Sequence, residues 1–332
     1  MALYLVTGGA GFIGSHIAGA LVARGDRVRV LDDLSTGSED NLAAAAGKAG
    51  AVGAPGSGAP LEFLPGDVAD PRCCAAACEG VTGIFHEAAQ VSVPESLKRP
   101  LRSYEVNVMG TLHLLEAARA AGVGRLVFAA SSAAYGDSEV LPKVEGMLPA
   151  PLSPYASGKV AAEHLLRVWG LGYGLRTVCL RYFNIFGPRQ ADDSPYTGVI
   201  ALFARALLDG QSLTIHGDGE QTRDFTFVAN AVAANLAAMG ADLEPGTVIN
   251  VGGGERISIN ALFRAMAEIT GVELVLEHGE ARPGDVRHSV ADLTRARELL
   301  GYEPQVPWRA GLVETLEWYR GRMGAPGAAF RA

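Results

Sequence analysis

Short apolar runs alternate with stretches of helical period over most of the chain, the pattern of strands separated by packed helices. Runs at 3–7 (LYLVT), 27–33 (RVRVLDD), 61–70 (LEFLPGDVAD), 83–89 (GIFHEAA), 125–136 (RLVFAASSAAYG) and 175–188 (LRTVCLRYFNIFGP) predict six strands with their exit loops. Helices are predicted after the first run, over 72–80, over 101–122 and over 153–170, the last with Ser153 as cap and Pro154 in its first turn. Strands alternating with helices in this way make a parallel sheet covered on both faces. The chain therefore reads as α/β with a doubly wound parallel sheet. From about 189 the pattern changes: 198–209 and 258–270 are helical, 212–219 holds a short strand and a turn, 223–239 returns as a helix, and 247–253 is a last strand. The predicted division is a large domain of 1–183 plus about 223–251, a smaller C-terminal α/β domain of about 184–222 plus 252–323, and a tail at 324–332. The low-complexity segment 43–60 reads as the end of a short helix and a flexible surface loop.

The first unit carries the first chemistry. Its opening strand runs into GGAGFIGSH, with Gly8, Gly11 and Gly14 in GxxGxxG spacing and Phe12 and Ile13 opening the helix. One glycine makes the tight turn, one lets the backbone approach a pyrophosphate, and one lets the helix pack close to the sheet. The helix N-terminus offers free N–H groups to the phosphates. The next strand ends in Asp32 and Asp33; Asp32 lies 18 residues past Gly14, where a carboxylate takes the adenosine ribose hydroxyls. An acid there disfavours a 2'-phosphate, so NAD is expected rather than NADP, in a Rossmann-type sheet. Asp67, with Val68 beside it, is placed to meet the adenine amino group. Ala88 and Ala89 are small enough for a loop to pass close to the cofactor. Asn107, a polar amide inside a helix, is expected to bracket a neighbouring loop and joins the cofactor set.

Composition narrows the partners. The chain has 332 residues, 48% of them hydrophobic, and a net charge of −8 with no basic block. Nucleic acid is not an expected partner, because backbone binding needs clustered Lys and Arg. No apolar run is long enough to span a membrane, and MALYLV reads as a strand start rather than a signal peptide. Cys73, Cys74, Cys78 and Cys179 lack paired metal-ligand spacing, so no metal is expected, and a reducing cytoplasm suits them.

The second chemistry lies at Tyr155 and Lys159, four residues apart and so on one helix face. A tyrosine is a poor base at neutral pH. A nearby ammonium and a positive nicotinamide ring both favour its phenolate, which makes Tyr155 a usable general acid–base. Lys159 can also hold the nicotinamide ribose. Ser131 and Ser132 end a strand at the edge where parallel sheets bind ligands, so a serine hydroxyl can bridge to the substrate.

These pieces together resemble the extended short-chain dehydrogenase/reductase family, and within it the UDP-hexose 4-epimerases. The resemblance covers about residues 1–320 through TGGAGFIGSH, ASSAAYG, Tyr155-Ala-Ser-Gly-Lys159, RYFNIFGPRQ, HGDGEQTRDF, NVGGG and RPGDVRHSVAD. It implies bound NAD, a UDP-sugar substrate and reversible C4 inversion through a 4-keto sugar; the helices at 101–122 and 154–169 are candidate dimer helices for an expected homodimer, though packing on the sheet explains most of their apolar side chains. Ser131, Tyr155 and Lys159 match the catalytic positions. Family members often carry Ser or Thr where this chain has Ala133, which brings Ser132 into consideration. Asn184 would touch the phosphates or the sugar. Arg223 and Arg282 match arginines that clamp the diphosphate, a task suited to planar guanidinium groups. Asp285 would accept from the uridine ribose, and Leu213 and Ile215 would wall the uracil unless they are edge-strand core. Val199 joins the substrate set. Ser289 stands where a bulky residue would exclude a C2 N-acetyl group, so UDP-GlcNAc/UDP-GalNAc and UDP-glucose/UDP-galactose are both expected substrates. The alternatives are a UDP-hexuronate 4-epimerase, a decarboxylase of the same family, or a non-catalytic NAD-binding protein. A dehydratase is disfavoured, because Ala133-Ala134 stand where it needs an acid pair.

Overall fold

Alternate residues of each central strand go to opposite sides, as the two-residue period of a strand requires. In the computed structural model, Val6, Phe85, Val127 and Ala129 enter one core, while Leu5, Ile84, Leu126, Phe128 and Ala130 enter another on the opposite face. The structure describes residues 1–47, 50, 52–191, 198–211, 213–272, 276–280, 286–324 and 330. The strands lie across the sheet in the order Thr247–Val251, Arg176–Tyr182, Arg125–Ser131, Gly83–His86, Leu3–Thr7, Arg27–Asp32, Leu61–Pro65, Val52–Gly53. Every pairing in it is parallel.

The helices Phe12–Ala23, Glu39–Ala46 and Val228–Gly240 supply the first core, and Pro71–Cys78, Thr111–Ala120 and Pro154–Tyr173 supply the second. This is the expected doubly wound α/β sheet. Leu3–Thr7 sits at its centre. The next strand in sequence, Arg27–Asp32, pairs on one side of it, and Gly83–His86 pairs on the other. The strand order therefore reverses between Leu3–Thr7 and Gly83–His86, and parallel sheets bind ligands outside the carboxyl ends at such a point.

A third core lies beyond the sheet. It joins Phe186, Phe225 and Phe227 to Phe203, Leu262, Phe263, Leu312 and Tyr319. Two short strands serve it, Leu213–His216 and Leu276–Gly279, paired in parallel. Ala291, Leu293, Ala296 and Tyr302, from the C-terminal part of the chain, pack into the first sheet core instead. Asp224 ties these parts together. Its fully buried carboxylate accepts from the N–H groups of Gly253 (2.6 Å), Gly254 (3.1 Å) and Ala291 (2.9 Å).

Two local expectations change. The 43–60 segment holds a short strand, Val52–Gly53, paired with Leu61 and Glu62. It is held there by the Gly56 N–H, which donates to Glu62 Oε1 at 3.1 Å. The helix expected over 101–122 is three pieces: Pro100–Tyr104, a π-helical turn at Glu105–Gly110, and Thr111–Ala120. A π turn inside a helix re-aims its side chains and recurs at functional sites; here it carries Asn107.

Candidate functional site

The mouth of the sheet is built on close backbone approach. Gly8 has φ +68°, and a Cβ there would lie 2.7 Å from the Ala88 nitrogen. A Cβ on Gly14 would lie 2.2 Å from the Gly8 carbonyl oxygen. The turn therefore closes only with glycine at both positions, and Gly11 caps the helix from its extended backbone. Among the described residues no side chain caps that helix and no acid occupies its first turn, so its N–H groups and positive dipole end suit a pyrophosphate. Phe12 and Ile13 are half-buried at that end.

Asp32 is buried at the tip of the neighbouring strand. It accepts from the Ala10 N–H at 2.9 Å and the Leu34 N–H at 2.8 Å. Burial pushes its pKa up, and the hydrogen bonds from Leu34 and Ala10 oppose this. A carboxylate has about four acceptor positions, so Asp32 keeps capacity for ribose hydroxyls. Asp33 is turned to its own loop and accepts from the Ser35 hydroxyl at 2.6 Å. Asp67 accepts from the Ala69 N–H at 2.9 Å and forms an ion pair with Arg102, whose guanidinium also lies 4.0 Å from Asp33. Any bond from Asp67 to an adenine amino group therefore competes with Arg102, a residue the sequence reading missed. Val68 is buried behind Gly110. The glycine cradle, the uncapped helix end and Asp32 fit a dinucleotide.

A hydrogen-bonded chain fixes the loop beside this cradle. The Ala88 N–H donates to Thr7 Oγ1 at 3.3 Å, Thr7 Oγ1 meets His86 Nδ1 at 2.7 Å, His86 Nε2 meets Thr111 Oγ1 at 3.0 Å, and the Thr111 hydroxyl donates to the Asn107 carbonyl at 2.8 Å. Because Thr111 gives its one proton to Asn107, it accepts from His86 Nε2–H; Nδ1 then accepts from Thr7. Burial pushes the His86 pKa down to about 3, with Lys159 adding to the shift, which favours this neutral arrangement over a doubly protonated ring. Asn107 completes the bracket: Oδ1 accepts from the Gln90 N–H at 2.8 Å and Nδ2 donates to the Gln90 carbonyl at 3.1 Å. Ala88 and Ala89 lie within the segment so held.

The candidate acid–base residues lie one strand away. Ser131 ends its strand, and Ser132 opens the short 3-10 turn that follows. Helix Pro154–Tyr173 starts at Ser153, whose side chain accepts from the Ala156 N–H at 3.2 Å, and so presents Tyr155 in its first turn. The Ser131 hydroxyl is close enough to Tyr155 to hold its pKa down by hydrogen bonding, but burial outweighs this and the net shift is upward, with Glu87 adding to it. Lys159, one helical turn on, is bound to the adjacent strand. It is 3% exposed, its Nζ donates to the Ala129 carbonyl at 2.6 Å, and it stands 4.7 Å above the Phe128 ring. The strand interior, rather than the phenol, holds the ammonium.

The substrate-side residues are more dispersed. Asn184 has φ +32° and donates through Nδ2 to the Asp224 carbonyl at 3.3 Å, which sets it beside the Arg223 segment. Arg223 lies on the short strand Thr222–Arg223 and donates to the Thr222 carbonyl at 3.0 Å. Ser289 reaches the same strand, its N–H donating to the Thr222 carbonyl at 3.1 Å. Asn184, Arg223 and Ser289 are thus brought together. Val199 is half-buried at the start of helix Val199–Asp209. Leu213 and Ile215 alternate with exposed Thr214 and His216 and point into the third core, at 9% and 3% exposure. Their packing is that of edge-strand core. Arg282 and Asp285 lie outside the described residues.

The first turn, the acid at the next strand tip and the Ser–Tyr–Lys group at the same sheet edge define a dinucleotide-dependent enzyme of the extended Rossmann class. Residues 4–252 match the NAD dependent epimerase/dehydratase family. The chain is 40% identical over 320 residues to a UDP-glucose 4-epimerase of Mycolicibacterium smegmatis, covering 96% of this chain and 98% of that protein. Its fold is similar to that of a UDP-glucose 4-epimerase from Thermotoga maritima solved with UDP-glucose, with TM-score 0.89, 37% identity and coverage of 97% of this chain and 99% of that one. It is also similar to a UDP-N-acetylglucosamine 4-epimerase from Methanobrevibacter ruminantium in complex with UDP-N-acetylmuramic acid, with TM-score 0.88, 35% identity and coverage of 97% and 99%. The chain belongs to the NAD dependent epimerase/dehydratase family and is an NAD-dependent enzyme. Among the described residues, no helix is long and apolar enough to cross a membrane.

Replacing Asn107 with Ala removes both bonds to Gln90, each worth about 1 kcal/mol or more when a buried partner is left unpaired. Amide exchange across 87–92 should rise by on the order of tenfold, measured by hydrogen–deuterium exchange. Unchanged exchange there would mean that the amide is not the bracket.

Proposed function

We propose that this protein catalyses reversible 4-epimerisation of UDP-hexoses, UDP-GlcNAc/UDP-GalNAc and UDP-glucose/UDP-galactose, through a 4-keto sugar. The observation that carries the proposal is the meeting of Ser131 and Tyr155, with buried Lys159 one turn on, at the same sheet edge as the glycine cradle. Gly8, Gly11, Gly14, Asp32 and Asn107's bracketed loop would hold the cofactor. Bound NAD supplies a reversible oxidant for C4 and a positive ring that favours the Tyr155 phenolate. Tyr155 removes the proton of the C4 hydroxyl and later returns it to that oxygen. Ser131 hydrogen-bonds the same oxygen, and Ser132 borders it. Lys159 contributes fixed positive charge behind the phenol and a donor for the nicotinamide ribose. Arg223, and Arg282 by its sequence match, would hold the diphosphate and leave the sugar free to turn between its two faces. The small side chain of Ser289, beside the Arg223 strand, supports acceptance of a C2 acetamide.

The homodimer expected through the helices at 101–122 and 154–169 belongs to the same proposal. Leu101 (85% exposed), Tyr104 and Met109 on the first, and Val168 (56% exposed) and Leu171 on or just beyond the second, stand out of the cores as exposed apolar side chains. Sedimentation at micromolar concentration should give twice the chain mass; a monomer would refute the interface.

Tyr155→Phe should lower turnover by about 100-fold or more while NAD remains bound. Near-normal turnover would remove Tyr155 from the chemistry. The substrate is tested by incubating the purified protein separately with UDP-GlcNAc, UDP-glucose and UDP-glucuronate and resolving the C4 epimers. UDP-GalNAc and UDP-galactose are the expected products, and Ser289→Tyr should lose the first selectively by steric exclusion. Conversion of the glucuronate alone would move the protein to the hexuronate branch.

A further inference from the structure

Lys159 poses a charge problem that its proposed role does not solve. An ammonium at 3% exposure is costly unless it is balanced. Its direct hydrogen bond goes to the neutral Ala129 carbonyl. On its own helix, Glu163 is already taken: Arg181, from the adjacent strand, donates to it from Nε at 2.8 Å and from Nη2 at 2.7 Å, and both side chains are buried. His86, on the next strand over, lies between Thr7 and Thr111, and burial pushes its pKa down to about 3. Tyr155 and Tyr182 are phenols whose pKa values burial raises.

Glu87 remains. Strand Gly83–His86 pairs with Arg125–Ser131 in a register that sets His86 opposite Phe128. One residue further, Glu87 lies alongside Ala129, the residue whose carbonyl holds Lys159. The Glu87 carboxylate is oriented from behind. Tyr182 donates its hydroxyl proton to Oε1 at 2.9 Å; Asn235 Nδ2 donates to Tyr182 at 2.6 Å and to the Ala231 carbonyl at 2.9 Å. Among the described residues neither Glu87 nor Lys159 enters an ion pair of 4.0 Å or less, so any attraction between the two acts across a wider gap.

We propose that Glu87 is the counter-ion of Lys159, a positioning residue held by Tyr182 and Asn235 whose charge keeps the buried ammonium protonated. The electrostatic directions agree. Burial pushes the Glu87 carboxyl up, against the Tyr182 hydrogen bond and the Lys159 charge. Burial pushes Lys159 down, against Glu87 first and Glu163 second. Removing the carboxylate leaves the second effect with less opposition, so Lys159 releases its proton at lower pH. The catalytic consequence rests on the reading of Tyr155 and Lys159 as the acid–base pair: if the ammonium is required, the alkaline limb of activity follows Lys159.

The chain has four lysines, Lys48, Lys98, Lys143 and Lys159, so lysine-labelled holoenzyme gives an assignable NMR titration, with Lys159→Arg identifying its signal. Glu87→Gln retains an acceptor for Tyr182 while removing the charge. The Lys159 midpoint should fall by about one pH unit or more in that variant, and the alkaline limb of kcat/KM should fall with it. A Lys159 midpoint that does not move overturns the proposal. A midpoint that moves while the alkaline limb stays supports the counter-ion and refutes the catalytic role of the ammonium. The wild-type protein gives a test that needs no variant. Interacting sites titrate in two steps, so the Lys159 signal should show a second, smaller inflection as Glu87 titrates; a single-step curve overturns the pairing.

Discussion

The molecule depends on how closely its first turn approaches its neighbours. The carbonyl of Gly8 stands 2.2 Å from where a Cβ of Gly14 would be, and the Ala88 nitrogen stands 2.7 Å from where a Cβ of Gly8 would be. No side chain can be inserted at either place without moving backbone. That closeness brings the end of the central strand, the start of the first helix and the segment after Gly83–His86 to one mouth. The glycine turn, Asp32 and the loop that Asn107 brackets border that mouth, and the Ser–Tyr–Lys group lies one strand further along the same edge.

Such packing leaves little room for water, so polar groups near the mouth must satisfy one another. They do so in chains rather than in isolated pairs. Thr7, His86, Thr111 and Asn107 form one chain, and Glu87, Tyr182 and Asn235 form another. The first fixes a backbone loop at the cofactor cradle. The second holds the Glu87 carboxylate through the Tyr182 hydroxyl. Stability and chemistry share these groups, because a buried ammonium is useful only where the surrounding protein keeps it charged.

The sheet was legible in the apolar period, since its strands alternate between two cores as strands must. Its reversal point came only from the pairing of Leu3–Thr7 with Arg27–Asp32 on one side and Gly83–His86 on the other. What escaped depends on register and burial. Val52–Gly53 is too short to show a period. The π turn around Asn107 leaves a helical pattern intact, though the bracketing role of that amide was readable. Tyr155 was read from its helix neighbour Lys159, four residues on, whereas burial is the largest influence on the phenol and the Ala129 carbonyl takes the Lys159 hydrogen bond. Arg102 meets Asp67 only through the fold. Glu87 could have been found: it is an acid at the carboxyl end of a strand beside the reversal point, the same position that singled out Asp32 and Ser131.

The central claim is that this NAD-dependent enzyme inverts C4 of a UDP-hexose and returns the same C4 hydrogen to the carbon it left. UDP-glucose and UDP-N-acetylglucosamine deuterated at C4, each incubated with the purified enzyme in ordinary water, test this most directly. The account predicts epimerised product that retains deuterium at C4. Product in which the label has been lost to solvent would show that C4 gives up its hydrogen as a proton, and would contradict it.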